Sequence, residues 1–292
     1  MTVNEMRGCA AETLDHFLEV MPGAPFTAED IIVEFVPKSK MAERAKALCA
    51  LYVPEKVLNE FQTAQLVNSI AGNALIGREK SAVIVRINYK SDYQGLRQMM
   101  FHEYAHIYCA KLEMPEDKHF IEIYGSGTTP ENPDMTPDEK QYDGLLVSGH
   151  HVWSEFIAQY FALIHTEDWV YSFDNAVAST IRYLSEVTQD NRDLSRDSFA
   201  QVCAHFLTCC DADEILINLK NPKFLYMDSE PNGERTRTAF RNCLSLLQSR
   251  IRREKPWEIS EEFICELGKN FLWFRTMNTL FFSGMEIPAA MI

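Results

Sequence analysis

The stretch FHEYAHIYCA, residues 101–110, places two histidines four residues apart and a glutamate directly after the first. Apolar residues recur at helical spacing over 96–112, which predicts an α-helix that ends before Pro115. Residues i and i+4 of a helix lie on one face about one turn apart, so His102 and His106 can direct their imidazoles at one point. Glu103 is turned by roughly 100° from His102 and can reach a water held at that point.

This H-E-x-x-H arrangement predicts one Zn²⁺ per chain, held first by His102 and His106. Zinc prefers histidine nitrogen, and a catalytic zinc keeps three protein ligands and one open position. The extended motif, with a third histidine six residues after the second, is excluded because Leu112 occupies that place. The alternative is a helix whose two histidines serve only packing or solvation.

A candidate for the third ligand lies in SGHHVWSEFIAQYFALI, residues 148–164. Large apolar residues form one broad stripe at helical spacing, namely Trp153, Phe156, Ile157, Tyr160, Phe161 and Ile164. Glu155 falls on the other side, beside Ala158 and Ala162, where small residues leave room for a second helix. A buried carboxylate needs a cation or several donors, and zinc would supply one. The alternative is a solvent-exposed glutamate with incidental alanines.

HEYAH, followed by SEFIAQY on a later helix, resembles the gluzincin branch of the zincin metallopeptidases over roughly residues 80–165. The resemblance implies that His102, His106 and Glu155 are the zinc ligands and that Glu103 is the general base. It also implies a substrate-binding edge strand above the zinc, for which SAVIVRIN (81–88) is the matching segment.

Gln159 departs from the pattern of thermolysin-like relatives, which have an aspartate four residues after the ligand glutamate to orient the first histidine. The Gln159 carbonyl can still accept a histidine N–H. Because it carries no charge, it raises the basicity of the ligand less than an aspartate would.

These residues predict a hydrolase that cleaves peptide bonds with a zinc-activated water and Glu103 as base. His151 is the first candidate for stabilising the oxyanion, because it lies four residues before Glu155 on the same face. His150, Tyr124 and Tyr142 remain open as alternatives.

Two other functions stay open: an inactive zincin-fold protein for binding or regulation, and a zinc hydrolase of a non-peptide amide. The intact Glu103 favours an enzyme, because a purely structural metal site has no need of a carboxylate at that position.

The predicted fold class is α+β and zincin-like. Residues 1–149 would form a small mixed sheet with the H-E-x-x-H helix, and 150–292 a mainly helical half that supplies the third ligand. Strands are predicted at 31–36 and on both sides of a turn within 74–89. Residues 114–149 form the longest irregular stretch, a candidate lid or binding loop and equally a candidate solvated excursion. Further helices are predicted at 150–165, 172–188, 195–219, 234–253 and 259–282.

Composition limits the partners. The formal net charge is −14, which disfavours nucleic acid and anionic membrane surfaces and leaves a peptide or protein substrate. No apolar run approaches the roughly 20 residues that span a bilayer, and acidic residues interrupt the start of the chain, unlike a signal peptide. A cytoplasmic protein is expected, and its oligomeric state is left open.

The cysteines and His205 are expected to occupy core positions. None of the eight cysteines forms a C-x-x-C pair, so free thiols are predicted. His205 lies in an apolar helical run, which favours a core histidine. Cys209 and Cys210 stand near Asp211 and Asp213, but their spacing suits no usual zinc site.

Overall fold

The computed structural model describes residues 1–52, 72–87, 92–112, 136–166, 192–209 and 233–283. Within these residues the fold is mixed α and β and mostly helical, with a small three-stranded sheet, which confirms the predicted class in these terms. The elements are α1 (Val3–Val20), β1 (Ile31–Val36), α2 (Met41–Tyr52), β2 (Gly72–Leu75), β3 (Ser81–Arg86), α3 (Tyr93–Leu112), α4 (Pro137–His165), α5 (Arg192–Cys209), α6 (Gly233–Ile251) and α7 (Glu261–Ser283).

The strand order of the sheet is β1-β3-β2, with β1 parallel and β2 antiparallel to β3. β2 and β3 form the predicted hairpin. Its turn needs a glycine, because a Cβ atom on Gly77 would lie 2.2 Å from the carbonyl oxygen of Lys80. β3 is the central strand, which corrects the expectation that residues 81–88 form an edge strand. Ser81 to Val85 are all buried, since both faces and both edges of β3 are covered.

Helix α3, which carries the H-E-x-x-H motif, is fixed against α1. Asp92 caps its start: its Oδ1 accepts a hydrogen bond from the Gly95 N–H at 2.6 Å. The hydroxyl of Tyr104 donates to the Ala10 carbonyl at 3.0 Å, and that of Tyr108 to the Pro22 carbonyl at 2.9 Å. The Phe17 ring packs against both tyrosines. These contacts set the rotation of α3 about its axis.

Helix α4 begins at Pro137, so the irregular stretch predicted for 114–149 is wrong from that residue onward. Thr136 and Glu139 form a capping box: Thr136 N–H donates to Glu139 Oε2 at 2.7 Å, and Glu139 N–H to Thr136 Oγ1 at 3.3 Å. Proline suits the first helical position because its missing N–H would have no helical partner there. Residues 113–135, the rest of the candidate lid, lie outside the described part of the chain.

The other predicted helices agree with α5, α6 and α7 to within a few residues at the described ends. The helix predicted at 172–188 and residues 210–219 lie outside the described residues. The seven described cysteines are free thiols, as predicted. None of the helices in the described ranges has the length and apolar character that would let it cross a bilayer.

The described residues fall into two compact units. One contains the described residues up to 112 together with 161–166, and the other contains 136–160, 192–209 and 233–283. Helix α4 is continuous across residue 149, where the sequence predicted the division between the halves. Its last turn belongs to the first unit, in which His165 stacks on Phe101.

In the second unit, α4 and α7 approach each other at two glycines. A Cβ atom on Gly149 would lie 1.9 Å from the Ile264 carbonyl oxygen, and one on Gly268 would lie 2.0 Å from the Leu145 carbonyl oxygen. Both neighbours are backbone atoms, which cannot move aside as a side chain can. The spacing between the two helices therefore depends on the absence of side chains at Gly149 and Gly268.

We expect Gly268→Ala to lower the free energy of unfolding by about 1–3 kcal/mol, because the added methyl group forces α7 away from α4. Gly144→Ala is the matched control. It lies on α4 with nothing within 4 Å of its Cβ position, so alanine there should raise stability by about 0.5–1 kcal/mol through helix propensity. Urea denaturation followed by circular dichroism measures both, and equal effects of the two variants would contradict the close crossing.

Candidate metal centre

The two motif histidines converge on α3. Nε2 of His106 lies 2.9 Å from Nε2 of His102, with the rings 4.6 Å apart between centroids and nearly perpendicular, at 81°. Two nitrogens bound at 2.0–2.1 Å to one tetrahedral zinc would be about 3.3 Å apart. The observed separation is close to that value, so the pair fits two ligands of a single ion with little adjustment. Both side chains are partly exposed, which leaves a route for an ion and a substrate.

The Glu103 side chain extends toward the start of β2. The side chain is buried, with 7% of the residue exposed. A Cβ atom on Gly72 would lie 3.3 Å from Glu103 Oε1 and 3.5 Å from Met99 Sδ. The Glu103 carboxylate therefore lies beside β2, which is an edge strand among the described strands. The sequence had assigned this edge position to residues 81–88.

Glu155 joins the motif histidines. One ligand atom each from His102, His106 and Glu155 can be chosen so that all three lie within 4.8 Å of one another. The predicted apolar stripe on α4 is buried at Trp153, Phe156, Ile157 and Phe161 but not at Ile164, which is 43% exposed. Ala158, on the side of Glu155, is fully buried, so the helix is covered on more than one face. The described residues thus contain two imidazoles and a carboxylate that can bind a metal ion, and the grouping by itself does not select the metal.

A second group of metal-ligating side chains lies within the second unit. His151 and Glu155 are one turn apart on α4, and Asp197 on α5 meets them, again with ligand atoms within 4.8 Å of one another. Nε2 of His151 is hydrogen-bonded to Asp197 Oδ1. Glu155 belongs to both groups. No sequence pattern pointed to Asp197, which is one acidic residue of a polar helix start.

The pKa of His151 is pulled in two directions. Burial favours the neutral ring and lowers the pKa, whereas the hydrogen bond and negative charge of Asp197 and the charge of Glu155 raise it. The carboxylates prevail, so the pKa of His151 lies above its ordinary value. In this structure the imidazole is engaged with Asp197, and its predicted role as an oxyanion donor stays a prediction.

Gln159 contacts His205: the amide nitrogen of Gln159 lies 3.4 Å from Nε2 of His205. Burial lowers the pKa of His205 to about 4, so this ring is neutral at physiological pH, in keeping with the core histidine that the sequence predicted. The expected role of Gln159 in orienting His102 stays a prediction, since the amide contact that the structure shows is to His205.

The other oxyanion candidates are placed as follows. His150 is buried, with 6% exposed. The Tyr142 hydroxyl donates to Glu261, which raises the pKa of Tyr142 to about 12, and its side chain is largely exposed. Tyr124, Cys210, Asp211 and Asp213 lie outside the described residues. None of these placements by itself selects an oxyanion donor.

No protein-family model, curated protein or solved structure matches this chain.

We expect His102→Ala to lose one equivalent of bound metal compared with the wild type, because a single remaining imidazole cannot hold the ion with one carboxylate. His16→Ala is the control, since its imidazole bonds the His165 carbonyl and belongs to neither metal-ligating group. Inductively coupled plasma mass spectrometry on zinc-loaded, dialysed protein gives the count. Equal zinc content in the two variants would contradict the site.

Proposed function

We propose that the chain is a zinc-dependent peptidase of the zincin type, with His102, His106 and Glu155 as the zinc ligands and Glu103 as the general base. The observation that carries the proposal is the convergence of the two Nε2 atoms at 2.9 Å, with a Glu155 ligand atom in the same group. Two imidazole nitrogens and one carboxylate oxygen suit Zn²⁺ and leave a coordination position open for chemistry.

The ion, when bound, would act as a Lewis acid that polarises the substrate carbonyl and makes water a better nucleophile near neutral pH. The protein's own share of the reaction falls to Glu103. Its carboxylate, at Oε1 or Oε2, accepts the proton of the attacking water and returns it to the nitrogen of the leaving amine. The buried position of Glu103 supports this role, because a carboxylate that is shielded from bulk water transfers protons to a bound partner and not to solvent.

The substrate is proposed to bind in extended form along β2. Among the described strands β2 lies at the edge of the sheet, and a Cβ atom on its first residue, Gly72, would lie 3.3 Å from Glu103 Oε1. An edge strand offers free backbone N–H and C=O groups with which an extended peptide can pair. A peptide held there would bring one of its amide bonds next to the proposed base.

The choice of a peptide as substrate also rests on charge. With a formal net charge of −14, the chain repels polyanions such as nucleic acids. A cytoplasmic location accompanies the proposal as an expectation from the sequence. Hydrolysis of a non-peptide amide would use the same residues, and the pairing edge of β2 is the feature that favours a peptide.

We expect Glu103→Gln to keep its metal and to lose hydrolysis by roughly 10²–10⁴-fold, because an amide cannot accept the proton of water. Glu79→Gln, an exposed glutamate in the β2–β3 turn, is the matched control and should retain full activity. Both zinc-loaded proteins and the wild type are incubated with a peptide library, and the products are read by mass spectrometry.

Cleavage by the wild type and by Glu79→Gln, but not by Glu103→Gln, supports the peptidase. Cleavage by all three would place the general base elsewhere or reveal a contaminating protease. Cleavage by none, with zinc present in each, would count against the peptidase and favour a zinc-binding protein without this activity.

A further inference from the structure

His151 and Asp197 are not used by the proposed reaction, and together with Glu155 they form a second metal-ligating group. It is built by two helices of the second unit: α4 supplies His151 and Glu155 at the i, i+4 spacing, and α5 supplies Asp197. All three side chains are partly exposed, so an ion can reach them. The group satisfies the same 4.8 Å proximity as the one that contains His102 and His106.

Glu155 is common to both groups, and a carboxylate can serve two ions because it has two oxygens. Each oxygen can bind a different cation, as happens in hydrolytic sites with two metals. His151 and Glu155 lie one turn apart on α4, as His102 and His106 do on α3. In the α4 pair, a carboxylate takes the place of one imidazole.

We propose that His151, Glu155 and Asp197 hold a second divalent transition-metal ion, with Glu155 shared between it and the zinc of His102 and His106. The inference rests on the proposed function only through Glu155. One imidazole nitrogen and two carboxylate oxygens suit Zn²⁺ or Mn²⁺. The two carboxylates carry the charge that a divalent cation neutralises.

A simple ion pair between His151 and Asp197 is the competing explanation. It accounts for the hydrogen bond between them, whereas the metal site also uses Glu155, whose ligand atom lies within 4.8 Å of theirs. Arg196, next to Asp197, lowers the pKa of His151 and so contributes positive charge nearby. A guanidinium has no lone pair to bind a metal, so Arg196 balances charge without occupying a ligand position.

The test counts metal ions in zinc-loaded, dialysed full-length protein by native mass spectrometry and plasma mass spectrometry. The wild type should hold two equivalents, Asp197→Asn one, and the double variant His102→Ala/His106→Ala one. Asp138→Asn, an exposed aspartate in the first turn of α4, should still hold two. His151→Gln provides a second route to the one-equivalent state if Asp197→Asn fails to fold, as judged by circular dichroism.

Manganese loading tests the shared carboxylate. Two Mn²⁺ ions bridged by Glu155 should give an exchange-coupled electron paramagnetic resonance spectrum in the wild type and an uncoupled six-line spectrum in Asp197→Asn. One equivalent in the wild type that the double-histidine variant loses, or two that Asp197→Asn leaves unchanged, would overturn the second site. The proposed function fails separately, if the double-histidine variant keeps the metal content of the wild type.

Discussion

The candidate site depends on the rotation of one helix about its axis. Successive residues of α3 are turned by about 100°, so neighbouring positions face different parts of the protein. His102 and His106 face the metal group, Glu103 faces β2, and Tyr104 bonds the Ala10 carbonyl of α1. The tyrosine contact fixes the rotation, and the rotation decides where the imidazoles and the carboxylate point. A chain in which α3 turned by a single residue would keep the motif and lose the site.

Local sequence was enough to predict this helix and the convergence of His102 and His106 on one of its faces. The spacing of His102 and His106 defines one helical face whatever surrounds it. The alanines beside Glu155 indicated a helix covered on more than one side, and Ala158 is indeed fully buried. Gly77 marked the hairpin between β2 and β3, where a side chain would collide with the backbone. In each case the information lies within a few residues of the feature.

Features that depend on residues far apart in the sequence could not be predicted from local sequence. The partner of His151 is Asp197, on a different helix, and no short pattern connects the two. β2 has the sequence GNAL, without β-branched residues, so it appeared less prominent than the apolar run of β3, which the sequence placed at the edge. That run was itself a sign of a strand buried on both faces. The early start of α4 was missed because Pro137 suggested a loop, although Thr136 and Glu139 form a capping box around it.

The most direct test of the central claim, that His102, His106 and Glu155 bind one zinc, is a crystal structure of the zinc-loaded protein with data collected on both sides of the zinc absorption edge. We expect an anomalous peak about 2.0–2.1 Å from one nitrogen of each histidine and about 2.0–2.2 Å from a carboxylate oxygen of Glu155. A zinc bound by cysteine sulfur, or the absence of any anomalous peak that both His102 and His106 ligate, would contradict it.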